Sequence, residues 1–274
     1  TVLEDYRRYP IGIQNFEQLR NNNCVYVDKT ELVYRLTHTD QVYFLSRPRR
    51  FGKSLLVSTL EAYFQGKKDL FRGLAMERLE QDWESYPVLH IDFSISKYLS
   101  AHYLRSAINW FLERWEREYG CCVEDKKGTP FSVRLGNVIE SAYKKTGKAV
   151  VVLVDEYDSP MLDTNSDVAL QGELRGIMRD FFSPLKGMGQ YLRFLFITGI
   201  SKFSQMSIFS ELNNLQNISM RDDFSAICGT PEEALAQIDS KQYAVPYQAD
   251  GRRVVKVGVN FDSATRTIGE WIVR

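Results

Sequence analysis

The chain has 274 residues, with 35 Lys plus Arg balanced by 35 Asp plus Glu, and 44% of its residues are apolar. That length buries one sizeable core with at most a small appendage, and zero net charge gives no global push toward nucleic acid or an anionic membrane. No run approaches the roughly 18 apolar residues that cross a bilayer, and the start TVLEDYRRYPIGIQ has no leader-like apolar core, so a soluble, cytoplasmic protein is expected.

In chain order, Val42–Ser46 (VYFLS) reads as a strand, followed by a basic, Gly-containing turn. Ser54–Gln65 then reads as a helix with Leu56, Leu60, Tyr63 and Phe64 on one face. Val88–Ser94 is a second strand, and Leu104–Tyr119 and Val133–Lys145 are helices. Cys121 and Cys122 are adjacent and poorly placed to bridge each other. None of the four cysteines has CxxC spacing or a histidine at metal-ligand distance, so reduced thiols are expected. Ala149–Val154 (AVVVLV) is apolar throughout and mostly β-branched, as a strand covered on both faces requires. Helical pattern returns over Ala169–Leu185, Leu192–Thr198 is a fourth strand, and Leu215–Ser219 a fifth. Strands alternating with helices imply a parallel sheet in a three-layer α/β domain, with ligands at the carboxyl ends of the strands. From Thr230 the character changes: a helix over Pro231–Ile238 is expected, then strand, turn and strand, with Asp250-Gly251 as the turn. A short helix or strand over Thr267–Val273 closes the chain. The organisation expected is a domain over 1–229 and a β-containing tail over 230–274.

Arg47-Pro48-Arg49-Arg50-Phe51-Gly52-Lys53-Ser54 occupies the eight positions of GxxxxGK[ST], with Arg47 where the first glycine stands. The rest suits a phosphate cradle. Gly52 permits close backbone approach and positive φ, Lys53 supplies a cation for β- and γ-phosphates, and the Ser54 hydroxyl is a magnesium ligand. The helix that follows aims unpaired N–H groups at the anion. Phe51 belongs to the same loop. An arginine at the Arg47 corner demands an altered loop path or a turn with negative φ. Arg47, Arg49 and Arg50 either supply an arginine finger in cis, or neutralise phosphates and pair with carboxylates. The alternative to all of this is a basic surface turn before a helix.

About 100 residues later, VVVLVDEYDSP places Asp155 and Glu156 at the tip of the most apolar strand. Two adjacent carboxylates there are costly without a cation, and the pair matches a Walker B element. Asp155 is the expected magnesium ligand and Glu156 the group that orients and deprotonates the attacking water. Asp158 suits a capping or loop-fixing role. At the next strand end Thr198 is the candidate γ-phosphate sensor, with Lys202 behind it. The alternative for Thr198 is a strand-ending threonine before a Gly turn. Asp92 reads as a satisfied strand-end carboxylate and His90 as a core histidine. GxSxG, HExxH and GxGxxG are absent. ATP and Mg²⁺ are therefore the expected cofactors, with a protein partner or second copy reading the nucleotide state.

YPIGIQNFEQLRNNNCVYVDKT, YFLSRPRRFGKSLLVSTLEAYFQGKK, YPVLHIDFS, VLVDEYDSP and FLFITGISKFS together resemble a bacterial family of AAA-ATPase-like proteins. Their C-terminal half is a PD-(D/E)XK nuclease-superfamily domain, and the resemblance covers approximately residues 8–229. It implies that Arg in place of the first P-loop glycine is a family trait. It also implies that Asp28-Lys29-Thr30 lies near the nucleotide site, and that the sheet is of the P-loop NTPase class, mostly parallel with order 5-1-4-3-2. Nucleic acid enters as a partner only through this resemblance. After Gly229 the text jumps to what resembles the family's extreme C-terminus. An internal deletion of the lid and nuclease core, joined near Gly229–Thr230, is expected from that jump. Asp239-Ser240-Lys241 spells [DE]xK but lacks the upstream strand Asp. Absent nuclease activity and slow ATP turnover are expected in consequence.

Overall fold

The computed structural model describes residues 10, 12–47, 49, 51–126, 128–164, 167–200, 208–209, 212, 214–219 and 221–228, and the backbone of 257–262 and 267–273. Five parallel strands form its central sheet: β1 (Val42–Ser46), β2 (Val88–Asp92), β3 (Val150–Asp155), β4 (Leu192–Gly199) and β5 (Gln216–Asn217). They lie in the order β2-β3-β4-β1-β5, which read from the other edge is 5-1-4-3-2. All four pairings are parallel. Every residue of β1 and of β3 is buried, because helices cover both faces.

One face carries α1 (Phe16–Asn21), α2 (Thr30–Thr39), α3 (Lys53–Phe64) and α4 (Ala75–Leu79). Tyr43, Leu45, Val151, Leu153, Phe194 and Phe196 pack there against Leu56, Leu60 and Phe64 of α3. The other face carries α5 (Ala101–Tyr119), α6 (Phe131–Thr146), the short α7 (Ser159–Leu162) and α8 (Val168–Phe182). Val150, Val152 and Val154 meet Ile108, Trp115, Val138 and Phe181 on that side. Each fully buried side chain of this size contributes roughly 1.5–3 kcal/mol. A buried ion pair ties α5 to α6: Arg134 Nε donates to Glu116 at 2.7 Å and Nη2 at 3.0 Å, with Asn109 taking Nη1 at 2.6 Å.

The periodicity reading assigns no element before Val42, yet α1 and α2 stand there. Asn15 caps α1 by accepting from Gln18 N–H at 2.9 Å. α2 buries Val33, Leu36 and Thr37, an i, i+3, i+4 stripe diluted by three threonines. Helix Pro231–Ile238 and the turn Asp250-Gly251 lie outside the described residues. In the tail, β6 (Val257–Asp262) runs antiparallel to β7 (Thr267–Val273). Thr267–Val273 is therefore a strand. No helix among the described residues is long and apolar enough to cross a membrane.

Candidate functional site

β1 leads through the Gly52 loop into α3, and the carboxyl ends of β4 and β3 lie successively beside that of β1 in the sheet. Gly52 is the residue before α3 and has φ 75°, a left-handed conformation that favours glycine. A Cβ there would meet nothing within 4 Å, so conformation and not crowding demands the glycine, and the space before the loop is open. Lys53 opens the helix and is only 4% exposed. Ser54, one residue on, is near enough to the Asp155 carboxyl to favour its ionised form. The two motifs, about a hundred residues apart in sequence, thus lie close together.

Arg47 sits at the end of β1. It has no left-handed backbone and instead continues the ladder of β1, its N–H donating to Gly199 O at 3.1 Å. Its guanidinium donates to Ser46 O at 3.1 Å and to Ser219 O. Ser219 Oγ also accepts from Ser46 N–H at 2.8 Å. Arg47 therefore ties the end of β1 to the turn after β5. Burial holds its pKa below the usual range. Arg49 is exposed and Phe51 half-buried, while Arg50 and Lys202 lie outside the described residues.

Asp155 is 2% exposed and pairs across the sheet with Asp92. Burial pushes its carboxyl up to about 6, against the opposing pull of Ser54 and with the charges of Asp92 and Glu156 adding to the rise. Glu156 has φ 49°, a left-handed backbone unusual outside glycine. Its N–H donates to Asp155 Oδ1 at 3.0 Å. Strain of this kind, on the order of 1–3 kcal/mol, concentrates where geometry is over-determined.

Side-chain alternation places Asp92, Asp155 and Thr198 on one face. Val151 and Leu153 of β3 and Phe194 and Phe196 of β4 all face α3, and Asp155 and Thr198 continue those rows. On β2, His90 Nδ1 lies 2.9 Å from Glu61 Oε2 of α3, and Asp92 is two residues further. Thr198 is fully buried, and its hydroxyl has no hydrogen-bond partner among the described residues. Asp92 itself accepts from Ser94 N–H at 2.8 Å, which satisfies the strand-end role.

Asp158 fixes a loop rather than capping α7. It is fully buried, makes no side-chain cap bond, and accepts Ile200 N–H at 3.2 and 3.0 Å. Gly199 is needed beside it, since a Cβ would stand 2.5 Å from Tyr157 Cε1 and 2.6 Å from Asp158 Oδ1. The Ser46–Arg47–Ser219 junction escaped the sequence reading because nothing local to Arg47 announces a partner 172 residues away.

Residues 10–209 match the family model described as Predicted AAA-ATPase, and residues 211–271 match that of the PD-(D/E)XK nuclease superfamily. The second match overturns the expectation that the nuclease core is deleted. It runs across Gly229–Thr230, where the join was expected, and includes β5 at the edge of the parallel sheet. An "Uncharacterized protein in vnfD 5'region" of Azotobacter chroococcum mcd 1 is 40% identical over 228 residues, which is 82% of this chain and 43% of that protein. The chain thus spans less than half of that relative's length. No solved structure matches.

Proposed function

This chain belongs to the predicted AAA-ATPase family, and on that premise we propose that it binds ATP with Mg²⁺ and hydrolyses the terminal phosphoanhydride. The change of nucleotide state would alter a surface read by a partner or a second copy. The observation that carries this reading is the nearness of Ser54, at the start of α3, to the buried Asp155 carboxyl at the tip of β3.

The residues present fit both groups. An open loop around Gly52, a nearly buried ammonium at Lys53 and an unsatisfied Thr198 hydroxyl suit a polyphosphate. Ser54 and Asp155 supply two adjacent oxygens for a divalent ion, whose charge would offset the crowding of Asp92, Asp155 and Glu156. When bound, Mg²⁺ withdraws charge from the phosphate oxygens. Lys53 neutralises the β- and γ-phosphates, and the Gly52 backbone lets them approach. Glu156 orients water and takes its proton as the bond to phosphorus forms. Thr198 donates its hydroxyl to a phosphate oxygen. Arg47, engaged with two carbonyls, holds the loop rather than serving as an arginine finger. Arg49 and Phe51 remain loop contacts on this reading.

Calorimetry and phosphate release on the purified chain test it together. Lys53→Ala should abolish ATP binding at millimolar nucleotide, and Glu156→Gln should bind ATP yet slow turnover by at least about 100-fold. A Lys53→Ala protein that binds and hydrolyses like the unaltered chain defeats the proposal. Unaltered binding with no phosphate release, indifferent to Glu156→Gln, leaves a nucleotide-binding scaffold. The match over 211–271 favours nucleic acid as the class of partner. Duplex and single-stranded DNA binding in a salt series checks that.

A further inference from the structure

Both ends of the Gly52 loop are held by the same distant piece of chain. Before the loop, β5 lies along β1, and Ile218 N–H donates to Phe44 O at 3.0 Å. Where that ladder stops, Ser219 takes over. Its Oγ accepts from Ser46 N–H at 2.8 Å and lies 3.1 Å from Ser46 Oγ, and its carbonyl accepts from the Arg47 guanidinium. After the loop, the 3-10 helix Asp222–Cys228 packs against α3, the helix that Lys53 opens. Phe224 and Ile227 join the apolar cluster on that face. Residues 216–228 thus grip both the strand that enters the loop and the helix that leaves it.

These residues lie inside the stretch 211–271 that matches the PD-(D/E)XK nuclease superfamily, beyond the ATPase match that ends at 209. The boundary between the two matches is therefore no boundary in the fold, since Ile218, Phe224 and Ile227 are buried in the core of the parallel-sheet domain. β5 has two residues, fewer than the roughly three to ten of an ordinary strand, so its own ladder holds it weakly. The Ser46–Arg47–Ser219 cluster adds a charge-assisted bond and a serine pair, with Ser46 and Ser219 buried. Freeing β5 would leave these polar groups unpaired away from water. Only five residues, 48–52, separate Arg47 from α3, so the two ends of the loop cannot move independently.

We propose that the Arg47–Ser219 clasp is the output of the nucleotide site. A polyphosphate seated on the Gly52 loop fixes both ends of that loop, which tightens the hold on 216–228. The chain's own nuclease-superfamily segment is then what reads the nucleotide state. Arg47 is a positioning residue here and touches no phosphate. The proposal rests on the nucleotide reading and names what that site acts on. Coupling of this kind is reciprocal, so whatever pulls 216–228 off the sheet weakens ATP.

Hydrogen exchange read by mass spectrometry, with calorimetry alongside, tests this on the unaltered chain, Arg47→Ala and Ser219→Ala. Saturating Mg²⁺ and ATP are expected to slow exchange in peptides covering 216–228 of the unaltered chain about fivefold or more. Arg47→Ala, at ATP levels that calorimetry shows to saturate it, loses this slowing and keeps that of peptides from the start of α3. Ser219→Ala, which retains the carbonyl but not the Oγ link, loses about half of it. Should Arg47→Ala not fold, Ser219→Ala carries the comparison. If the unaltered chain binds ATP and exchange over 216–228 does not change, the proposal fails and the nucleotide reading stands. Faster exchange with ATP means that Arg47 leaves Ser219 for the nucleotide, and overturns it. Slowing that survives in Arg47→Ala is general stabilisation by ligand, and overturns it too. If calorimetry finds no ATP binding by the unaltered chain, the nucleotide reading fails, and this extension with it.

Discussion

Thr198 sets two demands against each other at a single residue. A buried hydroxyl without a partner costs roughly 1–3 kcal/mol, so stability alone would prefer valine, which has the same shape. Thr198 is fully buried with its Oγ1 unsatisfied. Thr198→Val is therefore expected to leave the thermal midpoint unchanged or raise it, while slowing ATP turnover about tenfold or more. Thermal melts and steady-state phosphate release on the same preparation decide it. A lower midpoint with unchanged turnover would return Thr198 to the role of a strand-ending residue. Its position was legible from LRFLFITG, because period-two burial and a following glycine mark where a strand stops. The missing partner was not legible, since satisfaction depends on Asp155 and Leu45 strands that meet β4 only in space. Arg47 shows the same limit from the other side. Its place before the Gly52 loop was readable, but its guanidinium turns to Ser219 O, a carbonyl that no local pattern connects to it.

At the scale of elements, α3 is coupled to the sheet by a pair that lies apart from the Gly52 loop. Glu61, in the last turn of α3, meets His90 of β2 at 2.9 Å, with the two side chains 27% and 24% exposed respectively. Burial opposes the charged imidazole, yet the Glu61 hydrogen bond and charge, with help from Asp155 and Asp92, raise its pKa above 6.5. Burial likewise opposes the Glu61 carboxylate, and His90 brings it net below 4.5. A raised histidine stabilises the fold fully below its unfolded value of 6.5, and that gain is lost as pH rises through the folded value. The depressed glutamate stabilises above 4.5, and its share is lost as pH falls through its folded value. The pair is thus strongest between roughly pH 4.5 and 6.5. Denaturant melts of His90→Gln should show a deficit of about 1 kcal/mol near pH 6 that shrinks toward zero by pH 9. A deficit independent of pH would mean lost packing and not lost charge. Sequence placed these elements to within a few residues: Ser54–Gln65 was expected and Lys53–Phe64 is found. It did so because Leu56, Leu60, Tyr63 and Phe64 are spaced for one buried face. It failed at α2, where threonines dilute the stripe.

Across the whole molecule, two apolar cores on either side of the sheet hold Asp92 and Asp155 level at the strand ends. The alternation of apolar runs and helices made that architecture readable, because each strand must be covered on both faces. Side-by-side carboxylates on β2 and β3 were not readable, because register between strands about 60 residues apart leaves no mark in either one. The arrangement penalises the fold. Asp155 has a folded pKa of about 6 against an ordinary 3.8, chiefly through burial. For an acid raised in this way, stability is full below the unfolded value and is lost as pH climbs toward the folded one. Near pH 7 the ionised carboxylate thus lowers global stability by something on the order of 2–3 kcal/mol. Asp155→Asn removes the charge and keeps an oxygen near Ser54. The variant should melt higher than the unaltered chain at pH 7 without ligand, and the two should converge by pH 4. With Mg²⁺ and ATP the order reverses, because a bound divalent ion stabilises only the chain that retains the carboxylate. Differential scanning at both pH values, with and without Mg²⁺ and ATP, measures all of this in one series. A variant that melts lower without ligand, or gains as much from Mg²⁺ and ATP as the unaltered chain, would remove Asp155 from the metal site.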